Sequence, residues 1–213
     1  MWVCCARQNT YNHPLDSTVN ENPRKQVAAA QIRGNRNSFY ECGFYGLQDT
    51  LWDVSGLHYF KSCFIEGAVD FIFGSAQSIY EDCDISVISE GLSVMKKDDA
   101  EEFVVVGFIT ARGRDSPENP SAFVFKECRV FGTGKVYLGR AWRNHSTVLF
   151  YRSKLSDVVV PEGWDSWNYA GQEDKIMYAE HRCFGQGSDN QAMVDKLTSI
   201  TFIDKEGWIK EQP

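Results

Sequence analysis

The sequence predicts an all-β solenoid, a parallel β-helix, and three observations carry that expectation. A short motif recurs at steps of 20–21 residues, its copies are aromatic and β-branched, and Gly, Asn, Asp and Ser separate them. The copies are Phe39-Tyr40-Glu41-Cys42, Tyr59-Phe60-Lys61-Ser62-Cys63 and Ile79-Tyr80-Glu81-Asp82-Cys83. Phe123-Val124-Phe125-Lys126-Glu127-Cys128 follows after 45 positions, which is two coils with a loop inserted. A fifth copy, Leu149-Phe150-Tyr151-Arg152-Ser153, comes 25 positions later with serine in the cysteine place. Such self-similarity means stacked units that bury a face only against their neighbours. A leucine-rich repeat would show its leucine framework, and TPR or ankyrin arrays would show helical periodicity at 33–34 residues. Neither pattern is present.

The cysteines at 42, 63, 83 and 128 then point inward and stack as small apolar residues, the ordinary behaviour of a buried free thiol. The seven cysteines of the chain have no CxxC pair and no histidine at a matching offset, so no zinc pattern is present, and their odd number argues against a fully paired disulfide framework.

At 213 residues the chain is long enough for one sizeable core. A net charge of −7, a pI near 5.1 and the lack of any basic run argue against nucleic acid as a partner. No apolar stretch reaches the length of a membrane span. The start, Met1-Trp2-Val3-Cys4-Cys5-Ala6-Arg7, has no apolar run long enough for a secretory signal.

Residues 1–25, with Asn9, Asn12, Pro14, Asn20, Asn22 and Pro23, show no sustained period and are expected to be irregular. Residues 91–102, containing Lys96-Lys97-Asp98-Asp99, are expected to form a solvated loop. Ile109–Arg114 is expected as a strand running into a turn, and Val136–Trp142 as an apolar strand ending in Gly-Arg-x-Trp. Beyond about residue 157 the rung pattern fades. Trp164, Trp167 and Tyr169 are expected to pack a loop against the solenoid, and Asp189–Phe202 to form a capping helix.

Asp49 and Asp70 lie 21 positions apart, each in or beside an apolar run. A carboxylate there is costly unless it is paired, hydrogen-bonded or used in chemistry. Residues one rung apart lie about 4.8 Å from each other on neighbouring parallel strands. Gln26, Gln48-Asp49 and Asp70 would therefore climb one face over three successive rungs. Two close carboxylates divide labour when their environments push the pKa values apart, one as nucleophile and the other as general acid and then base. Glutamine N–H groups can stabilise a developing oxyanion. That set suits acyl transfer on an ester, and equally suits glycoside hydrolysis. The residues alone leave those two open.

Gln48-Asp49-Thr50-Leu51, Val69-Asp70-Phe71-Ile72-Phe73-Gly74, Ile109-Thr110-Ala111-Arg112-Gly113-Arg114 and Leu138-Gly139-Arg140-Ala141-Trp142 resemble the successive signatures of plant-type pectin methylesterases, in the family's order. The resemblance covers about residues 26–185. It implies a right-handed parallel β-helix, hydrolysis of methyl esters on homogalacturonan, no metal or cofactor, and action in the extracellular plant cell wall. By motif, Asp70 resembles the nucleophile, Asp49 the general acid and base, and Gln48 with Gln26 the oxyanion-hole pair. Arg140 would hold Asp70 ionised and oriented, and Trp142 would wall the sugar-binding cleft; both are expected to bind substrate. The family reading makes the chain a monomer, with methyl-esterified homogalacturonan as substrate and a proteinaceous pectinesterase inhibitor as a second partner. Tyr45, Phe71 and Trp52 are read as subsite lining or packing, and His13, His58, His145 and His181 as structural or surface residues.

The chain departs from the family in Gln26-Val27-Ala28-Ala29, in Gly139-Arg140-Ala141-Trp142, and in having no Gly-x-Tyr-x-Glu signature. The expected organisation is an irregular segment, residues 1–25, and a β-helix domain, residues 26–213, lacking the family's first rungs. A solenoid without its first rungs exposes an unprotected edge, so a catalytically weak pectin-binding β-helix is the competing expectation. A glycoside hydrolase or lyase on the same fold is the third. Asn144-His145-Ser146 is a glycosylation sequon two residues beyond Trp142.

Overall fold

A computed structural model describes residues 5–7, 28–91 and 106–188. A first strand, β1 (Cys5–Arg7), precedes the regular coils. The first full coil runs β2 (Ala30–Arg33), β3 (Asn37–Tyr40), β4 (Gly43–Tyr45). The second runs β5 (Leu51–Ser55), β6 (Leu57–Lys61), β7 (Phe64–Gly67), and the third β8 (Val69–Gly74), β9 (Gln77–Glu81), β10 (Asp84–Ile88). The fourth is β11 (Gly107–Arg112), β12 (Phe123–Lys126), β13 (Arg129–Thr133), and the fifth β14 (Val136–Ala141), β15 (Thr147–Tyr151), β16 (Lys154–Leu155). A last partial coil holds β17 (Trp164–Asp165) and β18 (Met177–His181).

Corresponding strands of successive coils pair in parallel, giving three six-stranded sheets: β1-β4-β7-β10-β13-β16, β2-β5-β8-β11-β14-β17 and β3-β6-β9-β12-β15-β18. This is the right-handed parallel β-helix expected from the sequence, and no α-helix occurs among the described residues.

The recurring motif makes the corner between the third and first sheets. In each coil the residue before the cysteine place takes a left-handed backbone: Glu41, Ser62, Asp82, Glu127, Arg152 and Arg182, all with φ between 51° and 56°. One such residue reverses the chain direction sharply, and the next side chain turns into the core. Cys42, Cys63, Cys83, Cys128 and Cys183 are buried free thiols. Ser153 continues their column, its Oγ accepting from the Cys128 N–H at 3.1 Å and donating to the Phe125 carbonyl at 3.2 Å.

Beside the thiols runs a column of rings, Phe39, Phe60, Tyr80, Phe125 and Phe150, with centroids 4.4–5.0 Å apart and planes within 14° of parallel. Their registers are in line, Phe60 opposite Tyr80 and Tyr80 opposite Phe125. Face-offset rings at this spacing add attraction beyond area burial.

Two expectations need correction. Cys5–Arg7, inside the segment read as irregular, pairs in parallel with Gly43–Tyr45; three residues are too short to carry a visible period. The rung pattern does not fade at 157, since β18 pairs with β15 and Cys183 closes the thiol column. The intervening Trp167–Tyr169 and Glu173–Lys175 3-10 turns stretch the spacing and hide the repeat. Gln26, residues 92–102 and the expected helix Asp189–Phe202 lie outside the described residues.

Candidate active site

The second sheet carries the site on its outer face. Asp49, just before β5, and Asp70, second residue of β8, have φ of 58° and 49°. Both therefore sit at the same left-handed corner of successive coils, and the Asp49 N–H donates to the Val69 carbonyl at 3.1 Å. Opposite Asp70 the β8–β11 register shifts between Phe108 and Thr110. A bulge of this kind re-aims a side chain out of the regular ladder. Gln48 bridges Val69 and is half-buried, which puts it beside both acids.

Arg140 comes from β14, two strands away from β8. Its Nε donates to Asp70 Oδ1 at 2.8 Å, and its second terminal nitrogen donates to Oδ2. Such a fork engages both carboxylate oxygens in one plane, a geometry that favours the ionised acid. Gly139 makes room for the strand that presents it: a Cβ there would lie 2.0 Å from Thr110 Oγ1. The Arg140 guanidinium carbon also lies 4.3 Å from the ring centre of Phe108 and 4.0 Å from that of Trp167.

Burial dominates both acids. It raises Asp70, whose side chain is nearly closed to solvent, and the bonds and charge of Arg140 pull the other way. Asp49 is pushed up to about 6, first by burial and then by the charge of Asp70, with Arg140 opposing. An acid at about 6 can give a proton and take one back near neutral pH.

Beyond the acids runs a row of outward-facing rings, two of them half-buried and the last exposed. Trp52 stacks on Phe73 at 5.5 Å, and Phe73 meets Trp142 edge-on at 6.4 Å. Trp142 is 38% exposed. It rests against Gly113, where a Cβ would come within 2.9 Å of the indole. Among the described residues, no three His, Cys, Asp or Glu side chains are grouped as metal ligands.

The pectinesterase family model matches residues 16–207. The chain belongs to the pectinesterase family. Probable pectinesterase 29 of Arabidopsis thaliana is 45% identical over 216 residues, covering 96% of this chain and 62% of its own length. Among solved structures, the pectin methylesterase of Aspergillus niger superposes with a TM-score of 0.76 at 27% identity, covering 98% of this chain and 64% of that one. The pectin methylesterase of carrot gives 0.76 at 25% identity, covering 97% and 66%. This pectinesterase-family chain thus spans less than two thirds of the length of the relatives it matches.

Of the residues expected from sequence, the fold brings Asp49, Asp70, Gln48, Arg140 and Trp142 to one sheet face. Gln26 is outside the described residues. Trp52 joins the outer aromatic row, whereas Phe71 is wholly buried in the core and Tyr45 packs on Phe64 in the first sheet. Sequence reasoning missed Phe73, Phe108 and the position of Trp167. Phe73 was findable, because residues alternate faces along a strand and its neighbour Ile72 is an inward aliphatic residue. Trp164 does pack against the solenoid, stacking on Tyr178 at 4.5 Å. Trp167, 27 residues after Arg140, turns outward onto it, and no local pattern encodes that contact.

Proposed function

We propose that this chain carries the catalytic apparatus of an aspartyl esterase that removes methyl esters from homogalacturonan. The observation behind this reading is the pairing of a carboxylate held at both oxygens by Arg140 with a neighbouring acid lifted to about 6. Asp70 attacks the C6 carbonyl, and the electron pair of the C=O bond moves onto oxygen. N–H donors of Gln48, with Gln26, steady that oxyanion. When the intermediate collapses, the C–O bond to the methoxy group breaks and Asp49 gives its proton to departing methanol. The anhydride that joins substrate to Asp70 is then opened by water. Asp49, now ionised, takes the water's proton, and Asp70 leaves as a carboxylate. Two environments that separate the roles of two acids supply the needed nucleophile and acid–base pair.

The row Trp52, Phe73 and Trp142 offers flat apolar surface on which the sugar chain would lie. We place the action in the plant cell wall, in keeping with the plant relatives. A proteinaceous pectinesterase inhibitor would approach from the same outer face, and the chain would work as a monomer.

Pectin of high methyl ester content distinguishes this from glycoside cleavage. The esterase reading expects methanol and no new reducing ends. Reducing ends without methanol would overturn it.

A further inference from the structure

The acids, the fork and the sugar-facing row leave two contacts of the site without a role, the stacking of Arg140 on Phe108 and on Trp167. We propose that Phe108 is a positioning residue that fixes the plane of the Arg140 guanidinium and, through it, the orientation and ionisation of Asp70. The inference rests on the esterase reading above for its catalytic consequence, though not for its geometry.

Arg140 is anchored in β14 and Asp70 in β8, with β11 between them. Its long side chain must cross that strand to deliver a two-pronged bond, and a flexible arginine loses rotamer freedom in doing so. Phe108 belongs to the crossed strand. It pairs with Val69, the neighbour of Asp70, on one side and with Tyr137 on the other. Its ring stacks on Tyr137 at 5.3 Å with planes 11° apart, so it is itself held in place. The guanidinium carbon lies 4.3 Å from the Phe108 centre and 4.0 Å from that of Trp167.

Two rings this close leave a flat group little room to tip, while its N–H edge stays free for Asp70. The negative ring faces also attract the cation where water would otherwise sit. A less hydrated guanidinium attracts its carboxylate more strongly. The two rings are not equivalent. Trp167 is 40% exposed on the outer side of Arg140, so a change there would alter the outer surface as well as the position of Arg140. Phe108 is half-buried, in the sheet that carries the acids.

The test compares Phe108→Leu, which keeps an apolar side chain without the ring face, with Phe108→Tyr, which keeps the ring. For Phe108→Leu, kcat on methyl-esterified pectin should fall about five- to tenfold with KM nearly unchanged, the loss expected when a contact of cation–ring strength is removed. Its acid limb of kcat/KM should move to higher pH, because a loosened Arg140 no longer opposes the upward pull of burial on Asp70. Phe108→Tyr should restore both. Hydrogen exchange of the Arg140 Nε–H, followed by NMR, should quicken in Phe108→Leu and stay slow in wild type and Phe108→Tyr. That readout needs no activity, so it decides the proposal even if wild type releases no methanol, an outcome that would instead sink the esterase reading. Unchanged exchange in Phe108→Leu would overturn the positioning role. So would equal loss of kcat and equal lowering of Tm in both variants, which would mark Phe108 as packing alone.

Discussion

Arg140 meets both oxygens of Asp70 from two strands away in the sheet and 70 residues away in the chain. The pair is nearly closed to solvent, with 17% and 11% of the two side chains exposed. A buried carboxylate that loses its cation is an uncompensated charge. Arg140→Ala should therefore raise Asp70 further above the ordinary carboxylate range and destabilise the fold by about 3 kcal/mol. Arg140→Lys keeps the charge but not the planar fork, so stability should largely recover while methanol release stays at least about tenfold down. Urea unfolding and initial rates on the three proteins check both parts.

Asp49 gives a pH dependence of stability. Its folded value is about 6 against an ordinary 3.8, so between those values the folded chain binds more protons than the unfolded one. Stability should accordingly fall as pH rises from about 4 to 6. Asp49→Asn removes the charge and should flatten that fall. It should gain about 1–2 kcal/mol over wild type at pH 7, less than the full shift because the site is only partly buried. Denaturation midpoints at pH 4 and pH 7 measure this.

His58 works in a different window. It is wholly buried, and both ring nitrogens face acceptors: Nδ1 meets Asp53 Oδ1, and Nε2 lies 2.7 Å from the Gly34 carbonyl. Tyr80 donates to the other Asp53 oxygen at 2.7 Å, and the fully buried Arg112 is close by. Burial pulls His58 down, yet the bond and charge of Asp53 and the Gly34 carbonyl win, and its pKa stands above 6.5. Its stabilisation should be complete below about 6.5 and be lost as pH rises through the folded value. His58→Gln should lower stability at pH 6 more than at pH 9. Equal loss at both would remove the proton from the explanation.

The aromatic column sets the stability of the middle coils. Phe125 is wholly buried, with rings at 4.6 Å and 4.4 Å on its two sides. Phe125→Ala should cost about 3–5 kcal/mol, and Phe125→Leu clearly less, since the cavity is smaller. Thermal unfolding by circular dichroism gives both values.

Legibility followed the range of each interaction. Cys42, Cys63, Cys83, Cys128 and Ser153 announced the coils because one left-handed corner recurs before each of them. Asp49 and Asp70 were legible because repetition turns sequence spacing into spatial adjacency. Arg140 and Trp142 were reached only through the Gly-Arg-x-Trp motif, since no spacing links residue 140 to residue 70. Trp167 on Arg140 is a tertiary contact with no periodic trace, and His58 on Asp53, though only five residues apart, depends on the β5–β6 corner that folds one onto the other. Cys5–Arg7 is a strand because Gly43–Tyr45 offers it an edge, and its own three residues say nothing of that.

Methanol release from highly methyl-esterified pectin by wild type beside Asp70→Asn tests the central claim most directly. Asparagine keeps the shape and removes the nucleophilic charge. The expected result is release by wild type and a loss of about a thousandfold or more in the variant, with the β circular-dichroism spectrum unchanged. Release by Asp70→Asn at the wild-type rate, or none by a folded wild type, would contradict the assignment of Asp70 as nucleophile.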